Sequence, residues 1–198
     1  TNTHVLDANP LHYSWDNGIT PRLTIDAGDT VVFSTIDAGG GFYNQDSTSE
    51  DIEKAGPFNG HPLTGPVYIR DAAPGDVLAI KIVAMEIAST FGWTAMRSGA
   101  GLLPVNELPG SYLQIWDLSD GTHALMRQRK DIAVPVASFP GVMGNALAEA
   151  GSHSTKPPRA TGGNMDNKHL TVGSTLYLPI QVEGALFSTG DAHAAQGD

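Results

Sequence analysis

Cysteine is absent from the 198 residues. That excludes disulfides, thiolate metal sites, a type 1 copper centre and a cysteine nucleophile, and it fits a reducing, cytoplasmic setting. Basic residues are scarce: 11 Lys and Arg stand against 21 Asp and Glu, a formal charge of −10. An acidic surface opposes binding to a phosphate backbone, and no basic stripe is interleaved with aromatics, so no nucleic-acid partner is expected. No run approaches the roughly 18 apolar residues of a membrane helix, so no membrane partner is expected either. The start, Thr1-Asn2-Thr3-His4-Val5, has neither the basic flank nor the apolar stretch of a signal peptide. It also lacks Met, so a processed or trimmed N-terminus is expected. No Gly-x-Ser-x-Gly elbow, phosphate loop or dinucleotide fingerprint occurs. Gly39-Gly40-Gly41-Phe42 lacks the strand–helix setting that phosphate binding requires, and nothing singles out the serine of a Ser–His–Asp triad.

What is present points to β-structure. Charged residues make up only 16%, while glycine occurs 23 times and proline 13 times. Long surface helices are normally rich in Glu and Lys, so this balance favours turns and short strands. The apolar runs are regular, which argues against disorder. Three strand–turn–strand units recur: Leu23–Ile25 through Gly28-Asp29 into Thr30–Thr35, Val67–Arg70 through Gly75-Asp76 into Val77–Ile82, and Leu170–Val172 through Gly173-Ser174 into Thr175–Val182. In each, glycine supplies the turn and the flanks alternate apolar with polar residues. Tyr112–Asp117 and Asp131–Val136 are further strand candidates, and Met143–Ala150 is the best helix candidate, only about two turns long. The expectation is a mainly β fold, a sandwich or barrel-like paired sheets with few short helices, in a single β-rich domain over residues 1–198. Asp37–Gly60 and Gly151–Lys168 read as long Gly/Pro-rich loops, and loops of that length in a compact domain are usually functional or disordered.

Three clusters carry chemistry. In Gly190-Asp191-Ala192-His193 the Asp-x-His spacing on an extended strand puts both side chains on one face, a geometry for two ligands of one divalent metal. Gln196 and Asp198 follow closely and offer another ligand or a general base. In Gly162-Gly163-Asn164-Met165-Asp166 an amide oxygen and a carboxylate again sit two residues apart, although an Asx-turn entering Leu170 explains any one of them. The segment Gly56–Pro66 makes a rigid loop that delivers His61, which could transfer a proton, bind metal, contact substrate or serve as a hydrogen-bonded structural histidine. The other histidines lack such context. On these residues alone, a non-catalytic β-sandwich binding metal or carbohydrate and a truncated interaction module both stay open.

The ordered blocks Tyr13–Asn17, Gly60–Ile69, Phe139–Gly144, Pro157–Arg159 with Thr161–Asp166, and Gly190–Asp198 closely resemble the acetamidase/formamidase family. The resemblance implies a mainly β enzyme that hydrolyses the C–N bond of short amides with a divalent metal, with cyclic amides such as γ-lactams as a nearby activity. It places Asp166, Asp191 and His193 at the metal, Zn²⁺ favoured over Ca²⁺. Asp198, or a Glu that follows it in the family, is the expected proton acceptor, and His61 and Asn164 are expected to bind or polarise the carbonyl. The family motif continues past Asp198 into a further segment, so the chain is expected to be the N-terminal two-thirds of such an enzyme. A homo-oligomer, a dimer by default, is the expected assembly, with the C-terminal segment as a possible separate partner.

Overall fold

The computed structural model describes residues 1–102, 104–107 and 110–196. Among them are fifteen strands and one four-residue helix, gathered into a five-stranded sheet, a four-stranded sheet and three two-stranded pairs, none closed into a barrel. The mainly β architecture expected from composition is therefore the observed one. The chain forms two compact units, one from Thr1–Gly40, Asn59–Met85 and Ser138–His193, the other from Gly41–Phe58, Glu86–Ala137 and Ala194–Asp198. Each is assembled from segments distant in sequence, so no linker marks a boundary.

The first unit is built on the five-stranded sheet. Its spatial order is Gly162–Asn164, Phe139–Gly144, Phe187–His193, Leu63–Ile69, Leu23–Ile25. All neighbours are antiparallel except Leu23–Ile25, which runs parallel to Leu63–Ile69. Every residue of Leu63–Ile69 except Tyr68 is buried, the pattern of a strand covered on both faces. Ile25, Val67, Ile69, Met143 and Phe187 pack with Leu178 and Ile180 in the main core, and Trp15, Leu63 and Val142 form a smaller cluster. Each such side chain contributes about 1.5–3 kcal/mol by leaving water.

The second unit carries the four-stranded antiparallel sheet, ordered Ala133–Pro135, His123–Met126, Tyr112–Asp117, Phe91–Met96. Tyr43, Ile52, Leu113 and Ile115 form its core, with Phe91 and Trp93 against them. Ile52 belongs to the helix Asp51–Lys54, which lies inside the stretch read from sequence as a loop.

Several sequence expectations are corrected. Two of the three strand–turn–strand units are present, but their strands do not pair with each other, because each of those two turns hands the chain from one sheet to another. Leu23–Ile25 pairs with Leu63–Ile69, whereas Thr30–Phe33 pairs in parallel with Thr3–Leu6. Likewise Val77–Lys81 pairs with Thr175–Pro179. Leu170–Val172 is not a strand: the Leu170 N–H turns back to the Asn167 carbonyl, and the Ser174 N–H to that of Thr171. No helix forms over Met143–Ala150. Met143 and Gly144 end the strand Phe139–Gly144, and the Asn145 and Ala146 N–H groups donate to the distant Thr161 and Ala185 carbonyls. A two-turn helix is marginal alone, and here long-range partners satisfy the backbone instead.

Candidate functional site

Strand Phe187–His193 supplies two of the site side chains, and the segment after strand Gly162–Asn164 supplies a third. His193 Nε2 lies 3.4 Å from Asp191 Oδ2 and 3.5 Å from Asp166 Oδ1. One candidate ligand atom from each of Asp166, Asp191 and His193 falls within 4.8 Å of the others. A fourth group joins them, His61, whose Nε2 is 3.7 Å from Asp191 Oδ2. Exposure rises across the cluster, from side chains 8% exposed at His61 and 13% at Asp191 to 24% at His193 and 45% at Asp166, so the Asp166 side is the open one.

Separations of 3.4–3.7 Å are long for hydrogen bonds between charged partners. They match the spacing of donors around one ion: ligands ~2.1 Å from a tetrahedral cation stand roughly 3.4 Å apart. Two imidazoles and two carboxylates are also the donor types that Zn²⁺ accepts, and the carboxylates suit Ca²⁺ as well. The residues present therefore fit a divalent cation.

Electrostatics separates the two imidazoles. Burial lowers the affinity of His193 for a proton, but its hydrogen bond to Asp191 and the charges of Asp191 and Asp166 outweigh it, and its pKa is raised. For His61 burial is the larger influence and prevails over the same two carboxylates, so its pKa is lowered. His61 is the imidazole disposed to be neutral at neutral pH.

The backbone around the site is unusual. Asp166 and Asp191 both adopt left-handed conformations, at φ 46° and 49°, which for a residue with a side chain costs on the order of 1–3 kcal/mol each. Asp tolerates this region better than most residues. Between them sits Gly141, whose carbonyl accepts the N–H groups of both Met165 and Asp166 at 3.1 Å. A Cβ on Gly141 would lie 2.6 Å from His193 Nε2 and 2.6 Å from the Asp191 carbonyl oxygen. Only glycine leaves room for the imidazole there. Phe139, fully buried, stacks on the same imidazole with ring centroids 4.7 Å apart.

His61 is held separately. Gly60 crosses so close to Tyr13 that any Cβ would overlap the Tyr13 carbonyl. The buried Thr155 hydroxyl oxygen then accepts the His61 backbone N–H at 2.8 Å and meets Nδ1 at 3.0 Å.

The structure thus gathers four of the seven residues singled out from sequence: His61, Asp166, Asp191 and His193. Asn164 lies in the strand leading to Asp166, and its Nδ2 donates to the Lys156 carbonyl at 2.8 Å. Its Oδ1 is buried and has no hydrogen-bond partner among the described residues. Asp198 lies outside the described residues. Gly141, Phe139 and Thr155 were not identified from sequence. Gly141 and Phe139 sit within the block Phe139–Gly144 that carried the family resemblance, whereas nothing local distinguishes Thr155 from any other threonine.

A sequence model of the Acetamidase/Formamidase family matches residues 1–151 and 145–198. The acetamidase of Mycolicibacterium smegmatis is 26% identical, with 96% of this chain and 61% of that protein covered. Among solved structures, a recombinant predicted acetamidase/formamidase from Thermoanaerobacter tengcongensis superposes with a TM-score of 0.87 at 31% identity, covering 100% of this chain and 64% of the other. The acetamidase of Bacillus halodurans gives 0.85 at 28% identity, covering 98% and 63%. The chain spans less than two thirds of the length of each of these relatives.

Proposed function

Because the chain belongs to the acetamidase/formamidase family, we propose that it carries the cation-binding site of an enzyme that hydrolyses small amides to carboxylate and ammonia. The observation that carries this reading is the convergence of Asp166, Asp191 and His193 ligand atoms within 4.8 Å. These three residues would hold a divalent metal, with Zn²⁺ preferred for the imidazole donors. When bound, such an ion polarises a carbonyl and lowers the pKa of its water to about 7.

The remaining chemistry falls to the chain's own side chains. Amide hydrolysis needs the attacking water oriented and the leaving nitrogen protonated. Asp166, the most exposed of the cluster, borders the open side by which substrate reaches it. Asn164 presents its buried Oδ1 as an acceptor for the N–H of a primary amide, since its own N–H is engaged by Lys156. Asp198 is the proposed proton carrier between water and ammonia. Gly141 keeps the volume beside His193 clear, so that the imidazole stays where the two carboxylates meet. Formamide and acetamide are the proposed substrates, with γ-lactams as larger cyclic candidates, and a cytoplasmic homo-oligomer is the proposed setting.

The test is ammonia release from formamide, acetamide and propionamide, and ring opening of a γ-lactam, with the metal stripped and then restored. Metal-dependent turnover is expected. Turnover unchanged by stripping would remove the metal from the reading, and a lack of turnover with every metal would show that these residues are not sufficient for catalysis in this chain.

A further inference from the structure

We infer that Asn59 is a site of spontaneous modification: the Gly60 nitrogen closes on its side-chain carbonyl carbon, ammonia leaves, and water opens the resulting ring to aspartate or isoaspartate. The other Asn-Gly pair of the chain, Asn17-Gly18, is held unreactive by the hydrogen bonds it makes. This chemistry is independent of the metal reading above.

A new bond forms between the Gly60 nitrogen and Asn59 Cγ, the Cγ–Nδ2 bond breaks, and the Gly60 N–H proton leaves with the amide as ammonia. The succinimide ring then takes up one water. Opening at Cγ returns the ordinary main chain with an aspartate, whereas opening at the Asn59 carbonyl carbon routes the main chain through Cγ as isoaspartate. Glycine permits the closure because it has no Cβ to obstruct its nitrogen. A folded chain allows the reaction only where the asparagine side chain can swing onto the main chain and the glycine nitrogen is free to attack.

The two pairs differ in both respects. Asn59 is exposed and lies outside any strand or helix. Among the described residues, neither its side-chain amide nor the Gly60 N–H makes a hydrogen bond. The contacts that fix this segment lie past the reacting nitrogen, where Gly60 packs on the Tyr13 carbonyl and the His61 N–H donates to Thr155 Oγ1 at 2.8 Å. Asn17, by contrast, is half-buried, and its Nδ2 donates to the Leu147 carbonyl at 2.9 Å and the Ala148 carbonyl at 3.2 Å. The Gly18 N–H donates to Asp16 Oδ1 at 2.8 Å. Attack there must first break at least two hydrogen bonds, which together slow it on the order of 10- to 100-fold. Each event at Asn59 adds one negative charge to a chain of formal charge −10, two residues before His61.

The test is peptide mapping by mass spectrometry of the full chain aged in mildly alkaline buffer, folded and in denaturant. In the folded chain the Asn59 peptide should gain aspartate and isoaspartate on the order of 10- to 100-fold faster than the Asn17 peptide, and in denaturant the two should convert at similar rates. Asp16→Ala, which frees the Gly18 N–H, should accelerate conversion at Asn17 roughly 2- to 10-fold and leave Asn59 unchanged. An Asn59 amide that survives in the folded chain as long as that of Asn17 would overturn the proposal. So would an equal preference for Asn59 after unfolding, because the fold would then not be its source. An unchanged rate at Asn17 in folded Asp16→Ala would overturn the protection assigned to that hydrogen bond.

Discussion

In the four-stranded sheet, Phe91–Met96 pairs with Tyr112–Asp117 without interruption, from Phe91↔Asp117 to Met96↔Tyr112. None of the non-glycine residues in those strands has a positive φ. Strand Phe187–His193 of the five-stranded sheet is different. Its register against Leu63–Ile69 shifts between Phe187 and Thr189, Asp191 is left-handed, and Gly141 opposite it must be bare. An unbroken ladder spreads its side chains evenly over two faces. Bringing side chains from three separate segments to one point requires the ladder to be distorted, and the distortion is found where Asp166, Asp191 and His193 converge.

The sharpest way to break this contrast is to remove a histidine from each region. His193→Ala should abolish retention of Zn²⁺ and metal-dependent ammonia release, measured by elemental analysis and an ammonia assay. His123→Ala, at the exposed start of an inner strand of the four-stranded sheet, should change neither.

Adding a methyl group comes next. Gly141→Ala drives a Cβ to 2.6 Å from His193 Nε2 and from backbone, and overpacking of this kind destabilises by about 1–3 kcal/mol. Its Zn²⁺ affinity should fall at least tenfold. Gly92→Ala in the four-stranded sheet meets only a Leu118 methyl at 3.3 Å and should cost less than about 1 kcal/mol in denaturant melts. Equal losses at the two glycines would remove Gly141 from the site.

A smaller effect of opposite sign is expected at the strained aspartate. Asp166→Gly relieves the left-handed backbone of a half-buried residue, so stability should rise by about 0.5–1 kcal/mol while metal binding is lost. A destabilised variant would mean that the Asp166 side chain supports the fold as well as the site.

The smallest expected effect is a pH dependence outside the cluster. His12 bridges Ser188 Oγ at 2.8 Å and the Ser14 carbonyl at 2.9 Å, and burial lowers its pKa. A histidine whose folded pKa lies below its unfolded value favours the native state fully above about pH 6.5. That stability is lost as pH falls toward the folded pKa. Melting temperature should therefore decline between pH 7 and 5, and His12→Gln should flatten the decline. An unchanged slope would assign it to other groups.

Legibility in the sequence followed the same division. Tyr112–Asp117 is legible to the residue, because its run of Tyr, Leu, Ile and Trp is of the aromatic and β-branched kind that favours strands. The Asp-x-His spacing anticipates the proximity of the two side chains, 3.4 Å apart. The stretch Met143–Ala150 was misread as helix because Asn145 and Ala146 have partners more than a dozen residues away, which no local pattern encodes. Leu170–Val172 failed for a related reason: its apolar alternation serves a turn whose strand, Thr175–Pro179, pairs with Val77–Lys81. Gly141 meets His193 and Thr155 meets His61 across segments distant in sequence, so these contacts exist only once the register is set.

The claim that most depends on this geometry is that Asp166, Asp191 and His193 form one cation site, and calorimetric titration of the metal-stripped chain with Zn²⁺ tests it most directly. One equivalent should bind, and Asp191→Asn and His193→Ala should each abolish that binding while melting cooperatively like the parent. Undiminished binding in both variants, or no binding to the parent, would contradict it.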